Sequence, residues 1–206
     1  YIGEGDARFT NQIEYSTGPH SNPCMVQVDD FNNDSQLDIV VANYGSNSIS
    51  IFHGFGNGSF TENIRFSTNS SRPIAITIGD FDNDSLLDIV TANYGTHSIS
   101  IHYSHTSFQS STTYLTGDDS LPIALTTADF NNDNYTDLAV ANYGTNNILI
   151  LFGNSNNTFD RNISILTGLN SQPRSIAASY FNDDNYVDLV TANYGSQEIS
   201  IYLNDG

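Results

Sequence analysis

The sequence predicts an all-β fold, a four-bladed β-propeller of four-stranded repeats, on three observations. One phrase occurs four times: Asp38-Ile-Val-Val-Ala-Asn-Tyr-Gly45, Asp88-Ile-Val-Thr-Ala-Asn-Tyr-Gly95, Asp137-Leu-Ala-Val-Ala-Asn-Tyr-Gly144 and Asp188-Leu-Val-Thr-Ala-Asn-Tyr-Gly195, at spacings of 50, 49 and 51 residues. Each copy has a proline upstream (Pro23, Pro73, Pro122, Pro173), an Asx-rich loop directly before it and an alternating stretch after it, such as Ile49-Ser-Ile51 or Ile199-Ser-Ile201. No stretch sustains a 3.6-residue apolar period, so helices should be nearly absent. Units of about 50 residues with four short strands are the repeat of a propeller blade.

Within a unit the strands follow in order. Strand A comes after the proline, as in Ile74-Ala-Ile-Thr-Ile78. Strand B is the Asp-Ile-Val phrase, almost wholly apolar, as expected of a strand covered on both faces. Strand C alternates, as in Ile99-Ser-Ile101. Strand D is half polar, as in Phe60-Thr-Glu-Asn-Ile-Arg-Phe66, which suits an outer edge facing water. Turn residues such as Gly54, Gly56, Asn57 and Gly58 separate C from D. Residues 1–206 then read as one domain, with blade one at about 23–67, blade two at 73–116, blade three at 122–166 and blade four at 173–203.

The two ends complement each other. Phe9 aligns with Phe60, so residues 8–16 form a D strand with no A, B or C strand before it, while the last unit stops at Gly206 before any D strand. The N-terminal strand is expected to complete the last blade, closing the ring within one chain or exchanging into a neighbour to give a head-to-tail filament. Residues 1–5 and 202–206 occupy equivalent register, so a longer array fits as well.

Net charge is −18, and the five basic residues are all Arg. Such an acidic chain lacks the basic face that nucleic acid requires and would not dock electrostatically on anionic membranes. Its self-repulsion in a compact fold calls for a cation. Cys24 is the single cysteine, so no internal disulfide forms. No apolar run is long enough to span a bilayer. No leader is visible and the first residue is Tyr1, so the sequence reads as a mature product or an excised piece.

The chemistry lies in the loops between strands A and B. Loop one carries Asp30, Asn32, Asp34, Gln36 and Asp38, loop two Asp80, Asp82, Asp84, Leu86 and Asp88, and loop three Asp129, Asn131, Asp133, Tyr135 and Asp137. Side-chain oxygens at positions 1, 3, 5 and 9, with the backbone carbonyl at position 7, can converge on one cation. Calcium takes six to eight hard oxygens in tolerant geometry, whereas zinc prefers the nitrogen and sulfur that these loops lack. The spacing matches the first nine positions of an EF-hand loop, although no bidentate Glu follows at position 12 and strands flank it. Asx-turns without metal are the alternative, but three near-complete copies in one register favour calcium. Loop four departs: Tyr180 stands at position 1, leaving Asn182, Asp184, Tyr186 through its carbonyl, and Asp188, so the fourth site should be weak or empty.

Other features carry less. The four Asn-Tyr-Gly copies could offer tyrosines for sugar stacking, but Tyr packing between blades and a hairpin shaped by Asn and Gly is the simpler reading. Of the glycosylation sequons, Asn57 and Asn156 align at the exposed C–D turn and are the better acceptors, followed by Asn69 and Asn162; Asn33, Asn83 and Asn134 lie inside the acidic loops. His102 and His105 form a weak metal pair, and His20, His53 and His97 read as surface residues. No nucleophile–base order, phosphate-binding glycine loop or carboxylate pair outside the loops stands out, so an enzyme is not expected.

The acidic loop, Asp-Ile/Leu-Val, Ala-Asn-Tyr-Gly, Ile-Ser-Ile and Gly-Asn-Gly-Ser-Phe resemble the FG-GAP and VCBS repeats of integrin-α-like propellers, over essentially the whole chain. The resemblance implies calcium in the A–B loops, on Asp30, Asn32, Asp34, Gln36 and Asp38 and their equivalents in loops two and three. It further implies an extracellular or cell-surface adhesion, scaffold or self-assembly module, or a lectin-like propeller, with a neighbouring copy or an extracellular protein or glycan as partner. Family propellers often have six or seven blades, while four-bladed rings of similar repeat length occur in hemopexin-like domains.

Overall fold

The computed structural model describes residues 3–4, 8–9, 11–69, 71–108 and 110–206. At the N-terminus β1 (Gly3–Glu4) pairs with β2 (Arg8–Phe9). Four antiparallel sheets follow, each a simple meander. Sheet one is β3 (Pro23–Asp29), β4 (Asp38–Asn43), β5 (Ser48–Phe52) and β6 (Ile64–Ser67). Sheet two is β7 (Pro73–Gly79), β8 (Asp88–Asn93), β9 (Ser98–His102) and β10 (Ser111–Leu115). Sheet three is β11 (Pro122–Ala128), β12 (Asp137–Asn142), β13 (Asn147–Phe152) and β14 (Arg161–Leu166). Sheet four has three strands, β15 (Pro173–Ser179), β16 (Asp188–Asn193) and β17 (Glu198–Tyr202). The one helical element among the described residues is a 3-10 turn at Ser104–Thr106, so no helix is long and apolar enough to cross a membrane.

The repeated residues explain the repeated geometry. Proline opens each first strand, where its missing N–H costs no ladder bond, and the register slips between Pro23 and Met25, Pro73 and Ala75, Pro122 and Ala124, and Pro173 and Ser175. The second strands are buried along nearly their whole length, as their continuous apolar run demands. The phrase ends on a buried asparagine whose amide donates to a serine on the third strand: Asn43 to Ser50, Asn93 to Ser100 and Asn193 to Ser200, each at 2.8 Å. In sheet three Leu149 replaces that serine, and the buried amide of Asn142 has no partner among the described residues. Glycine closes the phrase because the backbone passes close by: Gly45 donates to the Ser21 carbonyl at 2.8 Å, and a Cβ there would meet the His20 carbonyl oxygen at 2.5 Å.

The core lies between successive sheets. Val40, Ile49 and Ile51 of sheet one pack against Ile76 and Ile89 of sheet two. Val90, Ile99 and Ile101 meet Leu138 and Leu149 of sheet three, and Ala139, Ile148 and Ile150 meet Ile176 and Leu189 of sheet four. The first strands pack in series, β3 on β7, β7 on β11 and β11 on β15, and no comparable packing joins β15 back to β3. The molecule is thus a propeller-like array of four antiparallel sheets without a closed sheet.

The N-terminal strand expected at residues 8–16 does not complete sheet four within the chain. Arg8–Phe9 pair with Gly3–Glu4, and residues 11–18 run without strand structure. The reason is packing on sheet one: the Tyr15 ring meets Phe52 at 5.9 Å and Phe60 at 5.7 Å, and its hydroxyl accepts the Phe60 N–H at 2.9 Å. The Phe9 side chain and residues 1–2, 5–7 and 10 lie outside the described residues, as does part of the 1–5 register overlap. The outer strand of sheet one is shorter than the expected 60–66, and Phe60 holds only an isolated bridge to Gly54.

Candidate metal centre

Each acidic loop connects the first two strands of a sheet and is folded by its own carboxylates. Asp30 at position 1 of loop one accepts the Asp34 N–H at 3.1 Å and the Ser35 N–H at 2.7 Å. Asp80 accepts Asp84 and Ser85 at 3.1 and 2.9 Å, and Asp129 accepts Asp133 and Asn134 at 3.1 and 2.7 Å. At position 5, Asp34, Asp84, Asp133 and Asp184 accept the N–H at position 7 (Gln36, Leu86, Tyr135 and Tyr186) at 2.8, 2.8, 2.9 and 2.9 Å. Those bonds fix the backbone at position 7. The tight turn requires left-handed backbone, at Asn33, Asn83 and Asn132 and again at Ser35, Ser85, Asn134 and Asn185, with φ between 58° and 68°. Asn and Ser tolerate this conformation better than bulky residues.

Position 9 has a second task. Asp38, Asp88, Asp137 and Asp188 are fully buried. One oxygen of each accepts the N–H at position 2, from Phe31, Phe81, Phe130 and Phe181 at 2.8–3.1 Å. The other accepts an N–H sixteen residues ahead, from Gly54, Ser104, Gly153 and Asn204 at 2.8–2.9 Å. The carboxylate thereby clasps the loop to the end of the third strand. Burial pushes Asp88 and Asp137 up to about 6 against the opposing backbone hydrogen bonds. Burial first, and the neighbouring charge of Asp84 second, also raises Asp82.

Loop two carries a carboxylate at position 3 where loops one and three carry an amide. Among the described residues, Asp80, Asp82 and Asp88 bring one carboxylate oxygen each within 4.8 Å of one another, and so do Asp82, Asp84 and His105 with its imidazole nitrogen. Asp82 Oδ1 is buried and has no hydrogen-bond partner among the described residues, so it is an oxygen that could meet a cation. In loops one and three the position 3 residues are amides: Asn32 donates to Asp34 and Asn131 to Asp133, both at 2.9 Å, while their carbonyl oxygens accept the position 5 N–H. In loop four Asn182 donates to Asp184 at 2.7 Å and Asn182 Oδ1 is buried without a partner among the described residues, but Tyr180, 61% exposed, supplies no carboxylate.

Two histidines lie against these loops, and they are not the weak candidate pair of His102 with His105. His105 Nδ1 lies 2.8 Å from Asp82, while His102 is buried beside Thr91 and Phe66, its pKa lowered to about 4 by burial. His53, expected at the surface, meets Asp38 at 2.9 Å. A residue just after the third strand falls over the acidic loop because the position 9 clasp holds that chain end there, a contact that the linear motif does not mark.

Asn57, Asn69, Asn156 and Asn162 are all exposed. Asn57 sits in the turn expected, accepting from the Ser59 hydroxyl at 2.6 Å, and Asn162 lies on the outer strand β14. Tyr44 and Tyr94 are half-buried and tilt together at 6.4 Å from neighbouring sheets, with the Arg72 guanidinium 5.8 Å from the Tyr44 ring. That is the packing role.

Several solved structures resemble the array at identities that speak to fold alone. A streptogramin B lyase matches with a TM-score of 0.61 at 17% identity, covering 91% of this chain and 56% of that one. BBS1N, in its complex with ARL6DN, matches at 0.59 and 17%, covering 86% and 56%. The V. cholerae biofilm matrix protein Bap1 matches at 0.52 and 14%, covering 89% and 27%. The chain thus spans little more than half the length of the first two. No curated relative matches. The FG-GAP-like repeat model matches three times, over residues 30–91, 80–140 and 129–191, each match running from one acidic loop into the next repeat, and the chain belongs to that family.

Proposed function

We propose that the chain is a calcium-stabilised β-propeller that acts outside the cell as an adhesion or assembly module and performs no catalysis. The observation that carries this reading is the common geometry of loops one to three. Each wraps its backbone around a carboxylate at position 1 and carries side-chain oxygens at positions 3, 5 and 9, to which the position 7 carbonyl would add. The ligand residues are Asp30, Asn32, Asp34, Gln36 and Asp38, then Asp80, Asp82, Asp84, Leu86 and Asp88, then Asp129, Asn131, Asp133, Tyr135 and Asp137. A hard, all-oxygen set in a flexible loop suits calcium. Exposed sequons at Asn57, Asn69, Asn156 and Asn162 fit an extracellular glycoprotein. The net charge of −18 makes calcium the natural counterweight.

Thermal unfolding with and without calcium tests this. A site filled to a hundred times its Kd adds about 2.7 kcal/mol, and a chain of this size gains roughly 2–4 °C per kcal/mol. Three sites should therefore raise Tm by well over ten degrees. An unchanged Tm after chelation overturns the reading.

A further inference from the structure

Each sheet presents two distinct faces, and the two ends of the array leave one of each uncovered. Toward the next sheet, the third strand offers two isoleucines. Ile49, Ile99 and Ile148 are 0% exposed, but Ile199 of sheet four is 72% exposed; Ile51, Ile101 and Ile150 are at most 5% exposed, but Ile201 is 55%. Toward the preceding sheet, the first strand offers an aliphatic residue. Ile76 and Ile176 are 1% and 7% exposed, but Val26 of sheet one is 54%. The interface that joins successive sheets inside the chain therefore has both halves free, one at each end.

Residues 11–18 stand where a preceding sheet's outer strand would stand. Thr17 meets Ser21 hydroxyl to hydroxyl at 2.7 Å, and Thr116–Ser120 and Thr167–Ser171 repeat the bond at 2.7 and 2.5 Å. Two residues before these threonines lie Tyr15, Tyr114 and Ile165, the last two on β10 and β14. Tyr15 packs on Phe52 and Phe60 of the sheet that follows it, as Tyr114 packs on Phe159 at 5.2 Å. Sheet one is thus preceded by an outer segment with no sheet, and sheet four is a sheet with no outer strand.

We propose that a second copy of this chain docks head to tail. The uncovered face of sheet four covers sheet one of the next copy, and residues 12–16 of that copy pair with β17 as its fourth strand. The register follows from the internal pairs Ile49↔Phe66, Ile99↔Tyr114 and Ile148↔Ile165, which place Ile199 opposite Tyr15 and Ile201 opposite Ile13. A polar contact marks the same junction. Asn47 Oδ1 accepts the Arg72 N–H at 2.9 Å and Asn146 Oδ1 accepts the Gln172 N–H at 2.8 Å. At the docked junction the equivalents are Gln197 Oε1 and the Asn22 N–H. A second copy is the occupant because one chain carries both halves, and three internal junctions already realise the contact. The interface is heterologous, so it repeats from copy to copy. This inference rests on the reading of the chain as an assembly module and names its partner.

Wild-type chain of residues 1–206, Ile199→Asp and Val26→Asp are compared by analytical ultracentrifugation in calcium at micromolar concentration. Both positions are solvent-exposed in the single chain, so each variant should keep the wild-type Tm measured under dilute, monomeric conditions. Wild type should assemble beyond a dimer. Each variant alone should be monomeric, and an equimolar mixture should give a species of twice the chain mass and no larger, since it contains one competent pair of faces. A monomeric wild type overturns the proposal, whether the cause is closure within the chain or an open array. So does a mixture that stays monomeric, or a variant that assembles alone. A calcium-raised Tm in a monomeric wild type leaves the calcium reading standing, and assembly without a calcium effect leaves the docking standing.

Discussion

Loop two and loop four follow the same course between strands and diverge at position 1. Asp80 accepts the N–H groups of Asp84 and Ser85, and Asn83 and Ser85 both take left-handed backbone. In loop four Tyr180 offers those N–H groups no carboxylate, and of the two left-handed positions Asn185 alone remains. Yet Asp188 grips Phe181 and Asn204 as Asp88 grips Phe81 and Ser104. The loop thus separates into two devices. Position 9 fastens it to the sheet in every loop, whereas position 1 shapes the tip, where the proposed calcium would sit.

The separation can be broken first at position 9. Asp88→Ala and Asp188→Ala each strand two backbone N–H groups, and an unsatisfied buried donor costs about 1–3 kcal/mol. Both should lose roughly 3 kcal/mol or more in urea unfolding without calcium, and by similar amounts. A much smaller loss for Asp188→Ala would tie the clasp to the metal site after all.

A second difference lies between sheets. His102 is buried where sheet three carries Leu151. Its folded pKa of about 4 lies below the ordinary 6.5. The unfolded chain therefore binds the extra proton, so the stability linked to His102 is complete above about pH 6.5 and drains away as pH falls toward 4. Asp88 and Asp137, raised by burial, work in the opposite sense between pH 6 and 4. The effect is therefore read as the difference between wild type and His102→Leu. That difference should shift by up to about 3 kcal/mol in favour of the variant on acidification. A constant difference across this range would mean that His102 is not buried as a neutral ring.

The smallest contrast concerns the buried asparagines. Asn93→Ala removes a satisfied amide and should cost about 1 kcal/mol. Asn142→Ala removes one whose partner serine is replaced by Leu149, and should cost less or be neutral. Equal losses would show that Asn142 has a partner of another kind.

Much of this was legible in the sequence because the chain repeats itself. Four copies of Asp-Ile/Leu-Val with Ala-Asn-Tyr-Gly fixed the strand order within each sheet, and the apolar second strands foretold their two-sided burial. The acidic positions were likewise visible, since one side chain in two through the loop is an oxygen donor. What was not legible depended on contacts between residues well separated along the chain. Position 9 reads as a ligand in a linear motif, and its grip on an N–H sixteen residues ahead appears only once the third strand folds back. His53 and His105 join the loops for the same reason. Register matches the N-terminal strand to the vacancy of sheet four, in the same chain or in a neighbour, but carries no information about where an aromatic such as Tyr15 finds its pocket.

The claim that position 1 decides the cation site is tested most directly by calorimetric calcium titration of wild type and Tyr180→Asp, each freed of metal beforehand. Three tight equivalents are expected for wild type, with a fourth weak or undetected, and Tyr180→Asp should bring the fourth into the tight class. Four equal sites in wild type, no heat of binding in either protein, or a variant that still binds three would contradict it.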